Sequence, residues 1–262
     1  MGPRVTAILN LKGGVGKTTT VISMASALAT ALKKTVLVID ADSQCNTTEF
    51  FDAFSDDHNM ATLLTAAQNA TADEQSAINC IKHTSFERID IVPASDALMD
   101  LDLTKVEQQA VNVSILRILV EAVSSIYDYV LIDCPPAFNA ASVAALVAAD
   151  DVIIPIKLDA FSLRGMSNLM RQIKNMQRIN PRLRLAGCLP TMWYSDPQIS
   201  DAEQQLRKAG LPVYQHIRRS DKVDMMTFSQ SPLSAFSPKS AAAVDYKRFV
   251  AREYAGGGND GL

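Results

Sequence analysis

Residues 5–10 (VTAILN) form a short apolar run that leads directly into Leu11-Lys12-Gly13-Gly14-Val15-Gly16-Lys17-Thr18-Thr19. Residues 18–32 then follow with helical periodicity, rich in Ala, Ser and Leu. A strand that enters a glycine-rich turn and leaves it as a helix restricts the fold more than any other feature of the chain. Glycines at 13, 14 and 16 let backbone N–H groups come close to an anion and point at it. The N-terminus of the helix adds the positive end of its dipole. Lys17 then supplies a point charge for the β- and γ-phosphates of a nucleotide, and the Thr18 hydroxyl a ligand for Mg²⁺. The spacing follows the pattern G-x-x-x-x-G-K-[ST], except that Leu11 stands where the first glycine is usual.

The rest of the chain alternates strand and helix. Apolar runs at 35–40 (TVLVID), 89–92, 129–133 (YVLID), 152–156 (VIIPI) and 183–189 read as strands, with a late short strand at 212–217. Residues 113–125, 140–149, 162–177, 202–209 and 239–254 read as helices. Near-continuous Val/Ile/Leu strands separated by helices predict a mostly parallel sheet covered on both faces, an α/β fold. The 262 residues, 48% apolar, are enough for a sizeable core. With no repeat or linker, residues 1–255 are expected to form one domain and 256–262 (GGGNDGL) a flexible tail. The polar, Asp-rich stretch 51–75 is expected to be short helices and loops on the surface.

Composition narrows the function. Cys45, Cys80, Cys134 and Cys188 lie far apart without a CxxC pair, so reduced thiols are expected rather than a metal or disulfide framework. His58, His83 and His216 are isolated and receive no role. No apolar run approaches the ~20 residues of a membrane span, and no secretory signal is visible. A soluble, cytoplasmic protein is expected.

Two strands end in carboxylates. The first runs into Asp40-Ala41-Asp42-Ser43-Gln44-Cys45-Asn46, and the strand at 129–133 into Asp133-Cys134-Pro135-Pro136. Both should project from the carboxyl edge of the sheet, beside the loop, where open α/β folds bind ligands. Asp133 has the position of a carboxylate that holds Mg²⁺ through water, and Asp42 is placed to orient an attacking water. Thr18, Asp42 and Asp133 are the candidate metal residues.

Lys12, five residues before Lys17, resembles the signature lysine of the deviant Walker A motif, the mark of the ParA/MinD family of P-loop ATPases. Asp40-x-Asp42-x-Gln44-x-Asn46 is similar to that family's first switch motif, with Ser43 for the usual proline, and Asp133-Cys134-Pro135-Pro136 is similar to the second. Residues 187–194 (GCLPTMWY), Ile217-Arg218-Arg219-Ser220, Pro232 and Pro238-Lys239-Ser240 resemble later family segments. The resemblance implies a P-loop NTPase fold that uses ATP and Mg²⁺. It places nucleotide on Lys12, Gly13, Gly14, Val15, Gly16, Lys17, Thr18, Thr19 and Asp133, with adenine near Thr191, Met192, Arg218 and Ser220. Met225 and Met226 stand where a Glu-Ala-Pro element is common. Catalysis would fall to Lys12, Lys17 and Asp42, with Lys12 reaching across an ATP-dependent homodimer to the partner's phosphates, a cation where transferring charge accumulates.

Three branches compete. A nitrogenase iron-protein type needs cluster cysteines, and only Cys134 tempts. A MinD type needs a terminal helix with a basic, bulky apolar face; residues 246–254 have some of that character, but a packed closing helix explains them better. The loop and first switch favour the ParA/Soj type, which implies non-specific DNA binding, a ParB-like centromere-binding adaptor, no membrane, and association with the nucleoid in the ATP state. Charge agrees: residues 1–180 hold 14 Lys/Arg against 20 Asp/Glu, and residues 181–262 hold 11 against 8. No acid lies between Asp159 and Asp196. Arg164, Arg171, Lys174 and Arg178 are spaced to share one helical face, as a phosphate-tracking surface would. Arg219 and Lys222 are further DNA candidates. No helix-turn-helix precedes the loop, so operator-specific binding is not expected. The alternative is a positioning ATPase acting on a membrane or protein cargo.

Overall fold

The computed structural model describes residues 2–101 and 113–255. The elements run β1 (Arg4–Ile8), α1 (Lys17–Ala31), β2 (Val36–Asp40), α2 (Asn46–Phe50), α3 (Met60–Gln68), α4 (Glu74–Asn79), β3 (Lys82–His83), β4 (Ile89–Val92), α5 (Ile115–Ala122), β5 (Tyr129–Asp133), α6 (Ala140–Ala148), β6 (Asp151–Lys157), α7 (Ala160–Ile179), β7 (Arg184–Thr191), α8 (Pro197–Lys208), α9 (Lys222–Ser229), α10 (Leu233–Phe236) and α11 (Ala241–Tyr254). The strands form one seven-stranded sheet in the order β3-β4-β2-β5-β1-β6-β7. All neighbours pair parallel except β3, which runs antiparallel to β4.

Side chains alternate across the pleat and bury both faces, which is why the strands read as unbroken apolar runs. Val36 and Val38 of β2 pack on one side with α1 and α11. Leu37 and Ile39 pack on the other with α3, α5, α6 and α7. The central strands β5, β1 and β2 all deliver their C-termini to one edge, where the phosphate loop and both switch segments gather.

Two expectations need correction. The stretch 51–75 is not simply surface: Met60, Leu63 and Leu64 of α3 are buried in the core. The helix starts there because Asn59 and Thr62 form a reciprocal capping box, a polar signal that offsets the polar composition. Residues 212–217 make no regular strand. They meet β7 through one isolated bridge, Cys188 with Val213, and a second, Trp193 with Arg218, follows just beyond both. Gly187 makes room for them: a side-chain carbon there would lie 2.6 Å from the Tyr214 ring. The two-residue β3 is too short to leave a periodic signal. The expected tail, 256–262, lies outside the described residues. Among the described residues no helix is long and apolar enough to cross a membrane.

Candidate nucleotide-binding site

The phosphate loop leaves β1 through Asn10, whose side-chain amide donates to the Pro155 carbonyl at 2.7 Å and whose Oδ1 accepts the Lys12 N–H at 3.0 Å. Gly14 and Gly16 have φ of 68° and 85°, a left-handed conformation that costs glycine little. Gly16 then caps α1, and Thr20 returns its hydroxyl to the Gly16 carbonyl at 2.7 Å. The far wall is tied on by Thr191, whose hydroxyl donates to the Val15 carbonyl at 2.8 Å. Lys17 is buried. Gly13, Val15 and Thr19 complete the loop as the sequence placed them, and Thr19 opens onto the adjoining cleft.

Lys12 sits differently. Its ammonium pairs with Asp159, just beyond β6, at 2.6 Å, and both side chains are about a third exposed. That places the Lys12 charge at the rim of the loop, held by an acid of the same chain.

The strand-end carboxylates converge. Asp40 and Asp133 are register partners on β2 and β5, and both are fully buried. Asp133 Oδ2 accepts two hydroxyls, Thr18 at 2.7 Å and Thr47 at 2.6 Å. Its Oδ1 is buried with no hydrogen-bond partner. Asp40 accepts the Thr48 N–H and hydroxyl at 2.8 and 2.7 Å, and the Asp42 N–H at 3.1 Å. Burial pushes the Asp40 carboxyl up, and neighbouring Asp133 pushes it further. Burial also raises Asp133, against the pull of Thr47, Thr18 and Lys17. Asp42 is buried too, at 7% exposure, and its Oδ1 takes the Gln44 N–H.

These donors suit Mg²⁺. A hydroxyl and carboxylates are the hard oxygen ligands it prefers, few in number because it keeps water and substrate phosphates. The unpartnered Oδ1 of Asp133 is a buried negative end that a cation or its water would satisfy.

A cleft of ≈ 350 Å³ opens beside the loop, within the range of small-molecule sites. Thr191, Met192, Arg218 and Ser220 line it, joined by Arg219, Lys157, Tyr194 and Tyr246. Met192 adopts a φ of 52°, unusual for a non-glycine residue, which turns the chain along the cleft wall. The Arg218 guanidinium is held bidentate by Asp245, both bonds 2.8 Å, while its side chain stays half-exposed.

Of the DNA candidates, Arg171, Lys174 and Arg178 are exposed on α7. The opposite face of that helix buries Met166, Leu169, Ile173 and Met176. The Arg164 side chain lies outside the described ones. Lys222 is exposed at the start of α9, whereas Arg219 lines the nucleotide cleft. All four cysteines are buried and free.

Sequence reasoning missed Thr47, Thr48, Asp159 and Tyr246. Asp159 lies two residues past the end of β6 and gave no strand-end signal of its own. Thr47 and Thr48 offered only two hydroxyls beside the switch.

A chain built this way is a P-loop nucleoside triphosphatase. Residues 3–185 match the family described as AAA domain. The chromosome partitioning protein ParA of Caulobacter vibrioides (strain NA1000 / CB15N) is 35% identical over 260 residues, 95% of this chain and 93% of that one. Among solved structures, apo McdA of Cyanothece matches with a TM-score of 0.80 at 19% identity, covering 95% of this chain and 98% of that one. The septum site-determining protein MinD of Pyrococcus horikoshii OT3, complexed with Mg-ADP, matches with a TM-score of 0.74 at 19% identity, covering 97% and 98%. The chain belongs to the ParA/MinD family of P-loop ATPases, among its ParA-type partition members, and it is an ATPase.

Proposed function

We propose that residues 1–255 act as one DNA-partition ATPase domain whose ATP-bound form is a face-to-face dimer. Gly13–Thr19 cradle the phosphates through backbone N–H groups, Lys17 neutralises the β- and γ-oxygens, and Thr191, Met192, Arg218 and Ser220 bound the base. Mg²⁺ held by Thr18 and Asp133, with Asp42 nearby, would offset the negative charge of the triphosphate. Asp42 orients the attacking water, and the Asp40–Thr48 bonds keep its loop in place. Lys12 exchanges Asp159 for the partner copy's phosphates. The closed pair presents Arg164, Arg171, Lys174 and Arg178, with Arg219 and Lys222, to DNA backbone without reading sequence. A ParB-like centromere-binding adaptor stimulates turnover, and the protein is cytoplasmic, on the nucleoid while ATP is bound.

The observation that best supports this reading is Lys12 at the rim. A lysine meant for its own phosphates would be buried like Lys17, whereas Lys12 stands a third exposed on an exchangeable ion pair. The test is binding to non-specific duplex DNA with ATP, with ADP and without nucleotide, across salt concentrations. Binding only with ATP, with a steep salt slope, supports the reading. Replacing Arg171, Lys174 and Arg178 by Ala should flatten that slope by about 3, at ~0.9 per lost phosphate contact.

Likeness to McdA and MinD keeps a second reading in view, a positioning ATPase on a membrane or protein cargo. The closing helix counts against the membrane form: Tyr246, Phe249, Val250 and Tyr254 of α11 are buried against the core. Hydrolysis without DNA binding, together with liposome co-sedimentation, would select it.

A further inference from the structure

Two threonines in the first turn of α2 grip the two carboxylates at the ends of adjacent strands. Thr47 donates to Asp133 at 2.6 Å, and Thr48 to Asp40 at 2.7 Å. All four side chains are fully buried. Neighbouring parallel strands lie ~4.8 Å apart, so consecutive residues of one helical turn span the gap between their terminal acids.

The two grips differ in what they touch. Thr48 is a structural tie, since its hydroxyl also accepts the Ala94 N–H at 2.8 Å and closes a network within the protein. Thr47 instead shares a single oxygen, Asp133 Oδ2, with Thr18 of the phosphate loop. Two donors crowd one oxygen of a buried carboxylate while the other oxygen has none. Thr47 is also firmly joined to the Asp42 segment: Cys45, the residue that caps α2, donates its N–H to the Asp42 carbonyl at 2.9 Å.

We infer that Thr47 is a positioning residue that couples the Asp42 loop to the cation site, by fixing which oxygen of Asp133 faces the ion. This rests on the reading of Thr18 and Asp133 as the cation's holders. With Oδ2 held by Thr47 on one side and Thr18 on the other, turning the carboxylate breaks two hydrogen bonds, which leaves Oδ1, the oxygen without a partner, for a cation or its water. The same bond carries the ion's presence to α2 and so to Asp42, which opens that helix's connecting loop. Without the Thr47 hydroxyl, Asp133 is held from one side only and the loop loses its link to the site.

The test compares wild type, Thr47→Val and Thr47→Ser as the full-length protein. Mn²⁺ affinity in the presence of ADP is read by electron paramagnetic resonance, ADP affinity without metal by calorimetry, and amide exchange across residues 42–48 by mass spectrometry. Thr47→Val keeps the shape and removes the hydroxyl; it should weaken Mn²⁺ binding roughly tenfold, the low end for an outer partner of a metal ligand. It should also speed exchange across 42–48 while leaving metal-free ADP affinity unchanged. Thr47→Ser should behave as wild type in all three readouts. Wild-type Mn²⁺ affinity in Thr47→Val, or an equal loss of metal-free ADP affinity, would overturn the coupling. A wild-type protein that takes up no Mn²⁺ with ADP would bring down the cation reading, and this inference with it.

Discussion

The two ends of the nucleotide cleft are built on different plans. The phosphate end is one continuous run, residues 10–20, closed on itself by Asn10, Thr191 and Thr20 and backed by buried acids. The proposed base end is assembled from separate segments around 191–194, 217–224 and 242–246, and its most conspicuous cation, Arg218, is spent on Asp245. Charge recognition needs backbone N–H groups in one fixed path, so it imposes a sequence. A base needs a wall of suitable shape, which many side chains supply.

That contrast can be broken by mutation. Lys17→Ala should lower ATP turnover by roughly 10²–10³-fold, the loss expected when a preorganised charge is removed from a transferring group. Initial-rate kinetics at saturating Mg-ATP would show it, and near-normal turnover would refute the division. On the proposed water-orienting role, Asp42→Ala should cost about 10²-fold in turnover while the proposed ATP-dependent DNA binding persists; filter binding beside phosphate release separates the two effects.

The buried acids add a pH effect confined to the phosphate end. Asp40 is pushed up to about 7 and Asp133 is raised as well, above the ~3.9 of an unfolded aspartate. Between those values the folded chain keeps protons that the unfolded chain has released. The stability contributed by the pair is therefore full below about pH 4 and falls as the pH rises toward 7. Thermal melts of nucleotide-free protein should show Asp40→Asn less sensitive than wild type between pH 5 and 7.

At the base end the effects should be smaller. Asp245→Ala frees the half-exposed Arg218 and should raise the KM for ATP by about two- to fivefold with kcat held, since such pairs contribute ~0.5–1 kcal/mol. Tyr246→Phe removes a buried 2.9 Å bond to Thr20. It should cost about 1 kcal/mol, a fall of ~2–4 °C in Tm. A larger loss from Asp245→Ala than from Lys17→Ala would invert the comparison.

The same contrast sets what the sequence made legible. The loop, Asp133 and the sheet could be read because backbone geometry dictates glycine, apolar alternation and strand-end acids at fixed positions. Thr191, Met192, Arg218 and Ser220 came only through family resemblance, and the structure adds Tyr246 and Lys157 to their cleft. Thr47 and Asp159 act through contacts 86 and 147 residues away in the chain, which no local pattern encodes. Helix α3 was hidden because its polar cap, Asn59 with Thr62, precedes the apolar face it starts. The 212–217 run looked like a strand because its apolar residues pack on β7, though it pairs only at isolated points.

Those isolated points matter for keeping copies of the protein apart. An open strand edge invites any extended peptide to add itself. Here one border of the sheet is a two-residue stub carrying Lys82 and an exposed His83. The other is occupied by the bent 212–219 segment, which takes the Cys188 and Trp193 N–H groups and returns its own to Cys188, Pro190 and Trp193. Neither border offers a straight ladder to a stranger. With both borders sealed, contact between copies falls to the side-chain faces of the molecule rather than to strand addition.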